Sequence, residues 1–114
     1  MTRYIYLIEN QYRDVKVGVT TCPERRLRSL ELAGNLDIVQ KFVVESRLAR
    51  RFEKKVLSKF SEYRAKGEWF SGVDFRVVKE HLETEIAQPL PEYDLKHISD
   101  PRSLELVERV LFDN

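Results

Sequence analysis

The chain has 114 residues, 42% of them apolar, which suits one domain with a modest core and excludes wholesale disorder. No apolar run is long enough to cross a bilayer, the opening MTRYIYLIEN lacks a signal peptide's long apolar region, and a lone Cys22 excludes an intrachain disulfide, so a cytoplasmic protein without membrane contact is expected. The net charge of +1 conceals an asymmetry: residues 1–66 carry 15 Lys and Arg against 8 Asp and Glu, and residues 67–114 carry 5 against 11, so the front part has either the footprint of a polyanion binder or an ordinary solvated face.

RYIYLIEN (3–10), rich in aromatic and β-branched residues, reads as a strand with Tyr4, Tyr6 and Ile8 on one face and Ile5 and Leu7 on the other. After a short polar turn, DVKVGVT (14–20) reads as its hairpin partner, and Gly18 within it signals a bulge or a close approach by backbone or ligand. Thr21-Cys22-Pro23-Glu24 has the form of a capping box with proline in the first turn of a helix that stops at Gly34. DIVQKFVVE (37–45) is a third strand, and Ser46 can cap a long helix that ends before Gly67. In LARRFEKKVLSKF (48–60), at about 100° per residue, Leu48, Ala49, Phe52, Val56, Leu57 and Phe60 fill one apolar arc. Glu53 falls inside that arc, while Arg47, Arg50, Arg51 and Lys54 lie opposite. A carboxylate beside a core needs a partner, a metal or a shifted pKa.

Beyond GEWF, a helix over about 74–87 places Phe75, Val78, Leu82 and Ile86 at helical spacing. QPLPEYDLKH is a proline-punctuated linker. SDPRSLELVERVLFDN is a last helix, with Asp100 as cap, Pro101 at its first position and Leu104, Val107 and Leu111 as its stripe. The order predicts an α+β fold, namely a small three-stranded, largely antiparallel sheet flanked by helices (a β-β-α-β-α core) plus C-terminal helices.

Several chemistries drop out. His81 and His97 lie far apart and one cysteine makes no zinc constellation, while GxxxxGK[ST] and GxGxxG are both absent. The remaining polar candidates are Tyr4, Tyr6, Lys16, Arg25, Arg26 and Glu53. Each has an ordinary structural use: a half-buried strand tyrosine, an edge-guarding lysine, solvent-facing arginines, a glutamate paired with a neighbouring Arg. Together they supply the parts of phosphodiester hydrolysis. Glu53 can hold a hard divalent ion, the ion and Arg26 can take up phosphate charge, and Tyr6 or Lys16 can assist proton transfer.

YIYLI followed by VKVGVT resembles the paired strand motifs of the GIY-YIG nuclease superfamily, in particular its short phage-type branch, whose second motif often reads KIGxT. The resemblance continues in order through PERRL, ARRFEKKVLSKF and GEWF, over roughly residues 3–70. It implies that Tyr6 is the first-motif tyrosine beside the attacking water and that Lys16-Val17-Gly18 stands for the second motif. It likewise implies that Arg26 is the phosphate-stabilising arginine and that Glu53 holds a single Mg²⁺ or Mn²⁺. The chain departs from the pattern at Tyr4, where the family has glycine, and at Lys16, where it has tyrosine. The family's late asparagine has no counterpart between Asn35 and Asn114. Glu68 or Trp69 is placed to fill that space, and Trp69 and Phe70 read as core.

The expectation is therefore a metal-dependent DNA endonuclease with a GIY-YIG-like domain over residues 1–88 and a linker plus docked amphipathic helix over 89–114. Tyr6, Lys16, Arg26 and Glu53 would be catalytic, while Arg25, Arg50, Arg51 and Lys54 would contact DNA phosphates without reading sequence. A phage-encoded version would work in the host cytoplasm, and the C-terminal helix offers a route to a homodimer. The alternatives are a non-cleaving nucleic-acid-binding module of the same fold and a phage interaction protein.

Overall fold

Alternation along the first two strands decides the layering. A computed structural model of the chain describes residues 2–65 and 67–88 and, as backbone alone, 110–111. β1 (Tyr4–Asn10) and β2 (Val15–Thr20) form an antiparallel hairpin in which Tyr6 faces Gly18 and Ile8 faces Lys16. Buried Asn10 fixes the turn: its side-chain oxygen accepts from the N–H groups of Tyr12 (2.9 Å) and Asp14 (3.0 Å). Arg13 absorbs the reversal at φ +69°.

α1 (Pro23–Gly34) follows, then β3 (Ile38–Glu45), antiparallel to β1, and α2 (Ala49–Lys59). The capping details differ from the motif reading. Cys22 occupies the cap position of α1 without a side-chain bond, and the Thr20 hydroxyl instead accepts from Cys22 N–H at 3.1 Å. Asn35, in the left-handed region at φ 52°, ends that helix one residue after Gly34. Ser46 accepts from Leu48 N–H at 2.9 Å and turns the chain into α2.

The sheet is larger than expected. Its main body has four strands, in the order β3-β1-β2-β4, where β4 is Trp69–Phe70 of the GEWF segment and pairs antiparallel with Val15 and Lys16. The three-stranded prediction fails because two residues are too short to show a strand's alternation; only the tertiary pairing identifies them. A two-residue β5 (Val110–Leu111) lies outside β3, opposite Val44 and Val43, so Leu111, expected on a helical stripe, pairs in a strand instead. The rest of the predicted linker and C-terminal helix, and with them the homodimer route, lie outside the described residues.

β4 is delivered by a tight reversal. Ala65 N–H donates to Trp69 O and Ser71 N–H to Tyr63 O, both at 2.8 Å. The Ser71 hydroxyl then donates to Asp14 at 2.7 Å, tying the reversal to the first hairpin. α3 (Phe75–Ala87) begins as predicted, with Asp74 accepting from Arg76 N–H at 2.8 Å.

Two apolar clusters flank the sheet. On one face Ile5, Leu7, Val15 and Val17 meet Phe52, Val56 and Phe60 from the α2 segment and Phe75, Val78, Leu82 and Ile86 from α3. Each fully buried large side chain there contributes about 1.5–3 kcal/mol. On the other face Tyr6, Ile8 and Val43 meet Leu27 of α1, with Tyr4, Leu30, Ile38 and Trp69 around them. Leu27 is the one buried residue of α1, so this second layer is thin and polar groups crowd its margin. No helix among the described residues is long and apolar enough to cross a membrane.

Candidate active site

The thin face carries Tyr6 and Lys16, with Arg26 of α1 beside them. Tyr6 stands mid-strand on β1, 1% exposed, with its ring packed over Gly18. A side chain at position 18 would run into that ring, so the glycine marks a close approach and not a bulge. At the far end of the ring the Tyr6 hydroxyl accepts a long hydrogen bond from Arg26 Nε at 3.4 Å. Arg26 comes from the exposed side of the first turn of α1, one residue before buried Leu27.

Lys16 shares the face with Gly18, and it does not guard an edge. β1 and β4 flank it, its side chain is 7% exposed, and its ammonium donates to Glu68 Oε2 at 2.8 Å. The same nitrogen lies 5.8 Å from the centroid of the Trp69 ring. The hydrogen bond and charge of Lys16 hold the Glu68 carboxyl below its ordinary range; burial opposes this, while Arg64 and Arg26 add to it.

Glu53 reaches this group from the other side of the sheet. α2 packs against β2, and β4 covers β2 only at Val15 and Lys16. Glu53 is half-buried, flanked on its helix by buried Phe52 and Val56. Burial pushes its pKa upward, and the negative charge of Glu68 pushes the same way; Arg50 and Lys16 pull it back. The oddly placed carboxylate thus faces a second carboxylate as well as cations.

Two direct contacts are thus present, Arg26 with Tyr6 and Lys16 with Glu68, and Glu53 and Arg26 are coupled to Glu68 through their charges. Of the residues predicted to meet phosphates, Arg50 is coupled to this group through Glu53, and Arg25 is exposed beside Arg26. Arg51 is half-buried and engaged in an interaction of its own. Lys54 turns elsewhere, to a hollow of about 380 Å³ between α2 and α3 shared with Lys55, His81 and Glu85. A further hollow of about 430 Å³, beside Ile38–Lys41 of β3, includes none of the site residues. Glu68 is the member that sequence reasoning undervalued. Its visible signal was a carboxylate next to the Trp-Phe pair, with a strand lysine lacking an obvious partner.

The oxygen donors here are the Glu53 and Glu68 carboxylates, and Glu68 is engaged by Lys16. Burial and the charge of Glu68 raise the cost of ionising Glu53, and a divalent ion there would relieve it, whereas Glu68 is already held ionised by Lys16. Among the described residues no group of three or more His, Cys, Asp and Glu could hold a metal. Magnesium bound through one or two carboxylates takes its remaining ligands from water and substrate oxygens.

One family profile, described as the T5orf172 domain, matches residues 3–85, which includes every residue of this group. No curated protein and no solved structure gives a significant match.

Proposed function

The chain belongs to the T5orf172 domain family, and from that premise we propose that it is a metal-dependent DNA endonuclease of GIY-YIG type, hydrolysing phosphodiester bonds at the Tyr6–Lys16–Arg26–Glu53 group. The observation that carries the reading is that an Arg–Tyr hydrogen bond and a buried lysine share one sheet face, while a desolvated glutamate on α2, across the sheet, is coupled through its charge to that lysine and its partner Glu68.

In this reading the Arg26 guanidinium, steadied by the Tyr6 hydroxyl, takes up charge on the scissile phosphate. Tyr6 is buried and the side-chain partner of its hydroxyl is Arg26, so any proton it handles would pass on the Arg26 side. Lys16 adds a second cation from the neighbouring strand. Glu53 is the residue to hold Mg²⁺ or Mn²⁺, which would supply Lewis-acid stabilisation of the phosphoryl oxygens. Arg25 and Arg50, both exposed, would touch flanking phosphates.

The direct test is incubation of supercoiled plasmid with purified protein and Mg²⁺ or Mn²⁺, beside Glu53→Gln and Arg26→Ala. Nicking that both substitutions abolish is expected; undiminished nicking by Glu53→Gln would remove the metal assignment. A second reading, a DNA-binding module that does not cut, is favoured by the occupation of Lys16 by Glu68. It predicts salt-dependent binding in EDTA and no nicking with either ion.

A further inference from the structure

Lys16 and Glu68 are unequal partners. The lysine side chain is 7% exposed and the glutamate side chain 55%, so the carboxylate sits on the solvent side of a cation otherwise enclosed by the sheet and Trp69. A phosphate can meet this ammonium only by taking the carboxylate's position. Carboxylate and phosphate offer the same anionic acceptor oxygens, and the same carboxylate also lies in the field of Arg26 and Arg64. Arg64 is anchored alongside, donating to Gly67 O at 3.3 Å. Glu68 is therefore bonded to one cation and lies in the field of two more, from three parts of the chain.

We propose that Glu68 is a stand-in for a backbone phosphate of DNA, an autoinhibitory contact that neutralises Lys16 until substrate displaces it. The proposal rests on the nucleic-acid reading above and names the group that gates the site. Displacement needs rotation of one side chain. The Ala65–Trp69 and Ser71–Tyr63 backbone bonds keep the reversal closed while Glu68 swings into solvent. The cost is loss of one ion pair, replaced by a phosphate that also engages Arg26. Internal neutralisation of this kind weakens non-productive association of a basic surface with any polyanion.

The test is equilibrium binding of a short fluorescent DNA duplex in EDTA, by anisotropy over a range of salt, with melting curves for every variant. Glu68→Gln removes the competing charge and is expected to bind on the order of tenfold more tightly at low salt, with a salt dependence steeper by roughly one released counterion. Glu68→Asp keeps the charge and is expected to stay within about twofold of the wild type, as is Glu83→Gln on exposed α3 surface, which makes the same change of net charge elsewhere. A merely structural Glu68 would move the melting curve and leave affinity alone. If the wild type binds and Glu68→Gln binds no more tightly, or gains no more than Glu83→Gln, the gating role is wrong while the nucleic-acid reading stands. If neither the wild type nor Glu68→Gln binds, both fall.

Discussion

Gly18→Ala is the sharpest single perturbation of the site, because it changes one methyl group and touches one catalytic candidate. A Cβ at position 18 would stand 2.7 Å from Tyr6 Cε2 and nearer still to Cζ and the hydroxyl, so the ring must retreat by roughly 1 Å to reach ordinary contact. The ring has little freedom to do so. It is 1% exposed and packed with Ile8, Leu27 and Val43. Overpacking of this kind costs about 1–3 kcal/mol, and the lower chain entropy of alanine returns roughly 0.5–1 kcal/mol, leaving a net loss of up to about 2.5 kcal/mol. The hydroxyl is one of the two atoms the methyl group would meet most closely, and its bond to Arg26 is already long at 3.4 Å. Loss of that alignment by about 1 Å should lower plasmid nicking on the order of 10²-fold while the protein stays folded. Thermal melting by circular dichroism and a nicking time course measure the two effects. The double variant Tyr6→Leu/Gly18→Ala should show a smaller stability loss on adding the methyl group, since the ring it meets is gone. A Gly18→Ala protein with unchanged melting and full activity would refute the idea that this glycine exists to seat Tyr6.

Three further outcomes are expected. Because the Glu53 pKa is raised by burial and by Glu68, its ionised form costs stability above that raised pKa, and the cost fades as pH falls from there to below the ordinary carboxylate value. Glu53→Gln should therefore be more stable than the wild type at neutral pH, with the gap closing in acid; equal melting at all pH values would contradict this. Lys16→Met replaces a buried ammonium by an apolar chain of similar volume and should leave melting near wild type, while duplex affinity in EDTA falls by at least about threefold through loss of one phosphate contact. Asp74→Ala removes the side-chain cap of α3 and should lower stability by about 1 kcal/mol in denaturant titrations, with nicking unchanged below the unfolding range.

What could be read in advance follows from the range of each signal. Periodicity is local, so the strands around Tyr6, Val17 and Val43, the helix carrying Phe52 and Val56, and the Asp74 start of α3 were all legible in the chain itself. The misplaced Glu53 was legible for the same reason: a carboxylate on an apolar arc is visible by counting residues. The chain order of the tyrosine, arginine and glutamate blocks, and the family to which residues 3–85 belong, are also properties of sequence alone.

Tertiary structure decided everything that depends on pairing across distance. Two residues at Trp69 carry no period, yet their bonds to β2 make a fourth strand and turn Lys16 from an edge residue into an interior one. Fifty-two positions separate Lys16 from Glu68, and no local pattern could join them. Gly18 could mark a bulge or a close approach until the hairpin register set it under the Tyr6 ring. Short-range stereochemistry thus determined the elements and the unusual charge, whereas the register of the sheet determined which charges meet, because a hydrogen-bond ladder fixes neighbours that sequence separation does not.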